Sequence, residues 1–293
     1  MTHKPVLQKE VLEYLDPKPN QNFIDCTVGQ GGHSLAILEK TGPNGKILGI
    51  DQDPKQIENC RKNTEDFKTR IILENSSYTK LKEIAERLNF QPAQGILLDL
   101  GMSSWQLEES GRGFSFLKDE ELDMRFSPKE NFLTSKEIIN RYPEKELERI
   151  FAEYGEEKYA DKIARKIVEI RQVKEIASTF QLVEAIKSAI PRGSDSRIHF
   201  ATRVFQALRI AVNGELGNLQ KVLSQAVEVL NPGGRLAVIS FHSLEDRIVK
   251  NYFKALSKES FEILTKKPIT ADKLEIINNP RARSAKMRVA QKL

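Results

Sequence analysis

Short apolar runs recur through the first hundred positions and again near the end, each bounded by glycine, proline, asparagine or charge. Runs at 23–26, 47–50, 70–73, 95–98, 235–240 and 261–264 predict strands. The first four alternate with helical patterns, which predicts a parallel sheet joined by right-handed crossovers. Then the strand rhythm stops. From about 110 to 213 the pattern is charged and helical. Thr134-x-x-Glu137 and Ser178-x-x-Gln181 read as capping boxes. Ile163, Ile167 and Ile170 recur at helical spacing, as do Leu182, Ile186 and Ile190 before Pro191. These stripes predict core faces rather than ligand contacts. A helix over 217–230 and the turn Asn231-Pro232-Gly233-Gly234 then lead into the strand at 235–240. The pattern predicts an α/β domain over 1–109 and 214–293, interrupted by an all-helical domain over 110–213.

Composition narrows the class. A chain of 293 residues is long enough for two domains or one large α/β domain. No apolar run approaches the ~20 residues that span a bilayer, and the start, Met1-Thr2-His3-Lys4-Pro5-Val6-Leu7, has no apolar signal-peptide core. Cys26 and Cys60 lack metal or redox spacing and read as reduced thiols of a cytoplasmic protein. His33, His199 and His242 stand apart with no ligand pattern around them, so no metal site is expected. The net charge is +5, and the last fourteen residues hold Arg281, Arg283, Lys286, Arg288 and Lys292 with no acid. Arg288-Val289-Ala290 reads as a short terminal strand that would fix these charges along a sheet edge. Such an edge fits a polyanionic substrate.

The densest chemical signal is Asp25-Cys26-Thr27-Val28-Gly29-Gln30-Gly31-Gly32-His33, followed by an apolar run that ends in Asp51. It reads as strand, glycine turn, helix, strand and carboxylate, the way an α/β sheet holds a nucleoside-type cofactor with its ribose on the acid. A dinucleotide fingerprint anchored at Gly29 and Gly31 would need glycine at position 34, which is Ser34. The compact turn with Asp25 before it instead resembles the first motif of class I S-adenosylmethionine methyltransferases. Asp99 closes the fourth strand and is expected to face the cofactor or the acceptor. Ser103 and Ser104 fit a helix cap as well as a substrate contact.

Longer strings identify a family. His199-Phe200-Ala201-Thr202-Arg203-Val204-Phe205-Gln206-Ala207-Leu208-Arg209 and Ser240-Phe241-His242-Ser243-Leu244-Glu245-Asp246-Arg247 join the segments 25–34, 99–106, 112–116 and 279–284. Together they closely resemble the bacterial 16S ribosomal RNA cytosine-N4 methyltransferases, in order and over essentially the whole chain. The resemblance implies a Rossmann-like class I methyltransferase sheet with an inserted helical domain for substrate recognition. It also implies a cytoplasmic enzyme that methylates the exocyclic amine of one cytidine in the decoding region of the small-subunit RNA. By resemblance, S-adenosylmethionine contacts fall on Gly31, Gly32, His33, Asp51, Tyr78, Asp99 and Gln106. Trp105 and Tyr78 depart from the residues common in relatives, which leaves the shape of the acceptor pocket open at Trp105.

The chemistry asks chiefly for positioning of an amine against an electrophilic methyl group. A hydrogen-bond acceptor on the amine's N–H groups would stabilise charge developing on nitrogen, and Asp99 is the catalytic candidate. No general base is assigned. Arg112, Arg203, Arg209, His242, Arg281 and Arg283 are candidate RNA contacts, and for each the alternative of a structural partner stays open. Neither cysteine follows a proline, which argues against methylation at C5. A nicotinamide oxidoreductase and a non-catalytic RNA-binding protein are the rival classes. Naked RNA, an assembly intermediate and a finished subunit all remain open as the form of the 16S rRNA substrate, as does the oligomeric state, a homodimer included.

Overall fold

The computed structural model describes residues 5–191, 198–257 and 260–293, so the first four residues of the start that lacks an apolar signal core lie outside the described residues. The chain divides into two compact units. One ends at Gly101 and resumes at Leu216, and the other spans Met102–Glu215. The helical unit therefore begins earlier than the expected position 110 and takes in the helix Ser104–Glu108.

Among the described residues the first unit has seven strands: β1 (Phe23–Asp25), β2 (Ile47–Asp51), β3 (Ile71–Asn75), β4 (Ala93–Asp99), β5 (Leu230–Ser240), β6 (Phe261–Ile263) and β7 (Lys286–Lys292). Their order across the sheet is β3-β2-β1-β4-β5-β7-β6. The pairs from β3 through β5 are parallel, and β7 runs antiparallel between β5 and β6. Alternation along each strand explains why both faces need cover. Ile24, Leu48, Ile50, Ile96, Leu98, Leu236 and Val238 point into one buried cluster. Their neighbours Phe23, Ile47, Leu97, Ala237 and Ile239 point into another. The helix Glu215–Val229 packs Leu219, Val222, Leu223 and Ala226 into the first of these clusters.

The terminal strand is longer than the three residues expected, and it fills the slot between β5 and β6. The expected turn at 231–234 lies inside β5 as a bulge: Leu230 pairs with Ala93 and Arg235 with Gly95. Extra residues on one strand are the usual cause of such a register shift.

The second unit surrounds one apolar cluster with the helices Ser135–Arg141, Glu144–Gly155, Ala160–Val173, Thr179–Ala189 and Thr202–Asn213. Ile163, Ile167, Leu182 and Ile186 are fully buried, as their helical spacing requires. Thr134 and Glu137 form the expected capping box, and Gln181 Oε1 accepts from the Ser178 amide at 3.2 Å. Among the described residues no helix is long and apolar enough to cross a membrane.

Candidate active site

The parallel sheet leaves β1 in both directions, to β2 on one side and β4 on the other. At such a switch point the connections part and leave a crevice beyond the strands' carboxyl ends. The structure brings Gly31, Gly32, His33, Asp51 and Asp99 to the ends of these three strands.

The turn after β1 is fixed by side chains as much as by its glycines. Asp25 is buried; its Oδ1 accepts from the Thr27 amide at 3.2 Å and its Oδ2 from the Ser34 hydroxyl at 2.8 Å. Ser34, standing where a dinucleotide fingerprint has glycine, thus ties the first turn of the helix Gly32–Lys40 back to the strand. Gly31 caps that helix at φ +89°, and a Cβ there would lie 2.9 Å from Cys60 Sγ. A Cβ on Gly32 would lie 2.4 Å from Pro5 Cγ. Both glycines are therefore demanded by close packing against the chain itself, a reason that sequence spacing does not reveal.

Asp51 ends β2 with both oxygens aimed at amides: Oδ2 accepts from Gly29 at 3.0 Å and Oδ1 from Asp53 at 2.9 Å. Burial pushes its carboxyl up to about 7, against those two amides, which favour the ionised form. Burial also raises the Asp25 carboxyl, opposed first by His33.

His33 is buried rather than a surface cap, and its Nε2 lies 3.6 Å from Asp99 Oδ2. Neither ring nitrogen of His33, nor Oδ1 of Asp99, has a hydrogen-bond partner among the described residues. Asp99 is positioned through its backbone, whose amide donates to Thr27 Oγ1 at 2.6 Å. Buried polar atoms left unmade cost free energy, so a cluster of them at a crevice is the mark of a ligand site.

Other candidates sit elsewhere. Tyr78 opens the single turn Tyr78–Lys80 after β3 and packs half-buried against the sheet's apolar cluster. Gln106 belongs to the helical unit, where its Oε1 accepts from the Ser103 amide at 2.9 Å and its amide donates to Ser103 Oγ at 3.2 Å. Ser103 is accordingly a helix cap, the reading that sequence left level with substrate contact.

The structure separates the candidate RNA contacts. Arg209 is buried and holds Glu215 through two hydrogen bonds of 2.8 and 2.9 Å, so it takes the structural alternative. Arg112 donates Nη1 to the carbonyls of Arg125 and Phe126 at 2.8 and 2.9 Å and lies 5.1 Å from the Trp105 ring. His242 caps the helix Ser243–Leu256, and its buried Nε2 lies 3.2 Å from Glu245 Oε1. Arg209 and Arg112 act within the fold, whereas His242 Nε2 has no hydrogen-bond partner among the described residues. Arg203 is half-buried and donates Nη1 to Glu156 O at 3.0 Å. In the turn Pro280–Ser284, Arg281 is half-buried and Arg283 exposed.

The terminal basic edge is smaller than its composition implies. Arg288 is buried against Asp246 at 2.6 and 3.2 Å, with Lys286 3.8 Å from the same carboxylate. Lys292 donates to the carbonyls of Val227 and Leu230, both at 2.8 Å.

Comparison with known proteins places the whole chain in one family. Ribosomal RNA small subunit methyltransferase H of Heliobacterium mobile is 47% identical over 309 residues, covering 99% of this chain and 99% of that protein. The protein of the same name from Kosmotoga olearia is 46% identical over 295 residues, covering 100% and 98%. The profile of the MraW methylase family matches residues 1–293, and the chain belongs to that family.

Proposed function

We propose that the protein transfers a methyl group from S-adenosylmethionine to the N4 amine of a cytidine in the decoding region of 16S rRNA. Family membership and full-length similarity to small-subunit rRNA methyltransferases support the reaction and the RNA class. The observation that carries the site is the set of buried atoms without a hydrogen-bond partner among the described residues, both ring nitrogens of His33 and Oδ1 of Asp99, beside the glycine turn.

When bound, S-adenosylmethionine supplies a methyl group made electrophilic by its sulfonium. Asp51 would take the ribose hydroxyls on the carboxylate lone pairs not used by Gly29 and Asp53. The backbone around Gly31 and Gly32, with the His33 ring, would take the methionine end. Tyr78 and Gln106 remain proposed contacts on the strength of the family resemblance. Asp99 has an oxygen free to accept from the cytosine amine, pulling it toward the pyramidal geometry that exposes its lone pair. In that role it positions the nucleophile and steadies positive charge on nitrogen until the proton leaves.

The thiols do not compete. Burial raises Cys26 well above the ordinary thiol range and Cys60 up to about 12, so neither offers the thiolate that C5 methylation requires. Arg203, Arg281 and Arg283 are the proposed phosphate contacts, and the helical unit the proposed recognition domain. Incubation with labelled S-adenosylmethionine and small-subunit particles, late assembly intermediates or bare 16S rRNA tests the reading. Label in 16S rRNA from at least one of the three is expected, and label in none contradicts it.

A further inference from the structure

The helical unit carries a column of aromatic rings that methyl transfer leaves unused. The His199 ring stacks on Phe116 with centroids 4.5 Å apart and planes within 8°, and on Phe200 at 4.2 Å and 30°. His199 is exposed and both phenylalanines are half-buried. Phe205, itself buried, meets Phe116 edge to face at 5.5 Å and anchors the column to the core. The flanking residues Leu117 and Ile198 are 77% and 37% exposed.

Two polar features accompany the rings. The Ala201 amide donates to His199 Nδ1 at 3.3 Å, which places the proton of the neutral ring on Nε2 as a donor. Arg203, in the first turn of Thr202–Asn213, uses Nη1 on Glu156 O, and its other N–H groups have no partner among the described residues.

Flat rings at a surface, an imidazole donor and a guanidinium with spare N–H groups are the chemistry that recognises unpaired nucleobases and an adjoining phosphate. We infer that Phe116, His199 and Phe200 form a stacking platform for unpaired bases of the RNA, with Arg203 on a neighbouring phosphate. The inference rests on the proposed rRNA substrate. An exocyclic amine is reached only when its base is out of the stack, and the neighbours freed with it need a surface to hold them.

The test uses the full chain and a single-stranded RNA oligomer carrying 2-aminopurine, with duplex RNA as the contrast. The parent protein is expected to bind the single strand more tightly than duplex and to quench the 2-aminopurine emission. Phe116→Leu and Phe200→Leu keep apolar bulk but remove the flat face. Each is expected to weaken single-strand binding about ten-fold while leaving S-adenosylmethionine affinity unchanged. Arg203→Gln is expected to lower the slope of log affinity against log salt by about 1. Unquenched emission with the parent, a preference for duplex, or parental single-strand affinity in folded leucine variants would each overturn the platform. Labelled methyl transfer to 16S rRNA, measured on the same parent protein, reports separately on the proposed reaction.

Discussion

The amide of Gly29 donates to Oδ2 of Asp51 at 3.0 Å, so the carboxylate that ends β2 braces the glycine turn that follows β1. One side chain thus shapes the turn and faces the ligand crevice. Asp51→Ala is expected to weaken S-adenosylmethionine binding by about 1.5–3 kcal/mol, the range for losing hydrogen bonds to a charged group. Calorimetry on the folded variant checks it, and unchanged affinity would remove Asp51 from the site.

Asp51 also predicts a pH dependence. Its ordinary value is 3.8 and burial lifts it to about 7, so the folded state holds a proton that the unfolded state has lost. Stability contributed by this group is therefore present below about 4 and declines as pH rises to about 7. Ribose hydroxyls donate to the ionised form, so cofactor affinity should rise over the upper part of that window and level above it. Asp51→Asn should abolish both slopes. Thermal midpoints and calorimetric affinities from pH 5 to 8 measure them.

Asp99 separates orientation from binding. Asp99→Asn keeps its shape but replaces an acceptor oxygen with a donor nitrogen and removes the negative charge. Single-turnover methyl transfer at saturating cofactor is expected to fall by about 100-fold, the scale for losing one preorganised electrostatic contact. RNA affinity should stay near the parental value. Normal single-turnover chemistry with collapsed cofactor affinity would make Asp99 a cofactor ligand only.

Two arginines near the end of the chain should behave differently. Arg283 is exposed, whereas Arg288 is buried against Asp246. Alanine at Arg283 is expected to flatten the salt dependence of RNA binding by about 1 in slope, with the thermal midpoint unchanged. Arg288→Ala should instead cost about 1.5–3 kcal/mol, because Asp246 would lose both hydrogen bonds from the guanidinium and keep only Lys286 at 3.8 Å. Arg209→Ala should behave like Arg288→Ala for the same reason, taking both guanidinium hydrogen bonds from Glu215. A shallower salt slope on Arg209→Ala, with unchanged stability, would restore it as a phosphate contact.

Patterns that repeat along an element were legible in the sequence, whereas the partner of a single charged side chain was not. Strand runs, capping boxes and the isoleucine stripes are local patterns, and the structure places them where periodicity does. The glycine turn and Asp51 were legible as parts of one motif, but the hydrogen bond from the Gly29 amide to Asp51 was not. Nor were the partners of Arg209 and Arg288. Arg209 meets Glu215 across the end of its helix, where Gly214 turns the chain back at φ +61°, and Asp246 meets Arg288 across 42 residues. Nothing in local periodicity distinguishes such an arginine from one that waits for phosphate. The slot taken by β7 was hidden likewise, since an alternating run does not say which neighbours it will pair with.

The central claim is the atom methylated. Mass spectrometry of nucleosides from 16S rRNA treated with the protein and S-adenosylmethionine, with N4-methylcytidine, 5-methylcytidine and 2′-O-methylcytidine as standards, tests it most directly. The account predicts a gain of N4-methylcytidine that depends on Asp99. A gain in 5-methylcytidine or 2′-O-methylcytidine instead, or no methylated cytidine with an RNA that the protein binds, would contradict it.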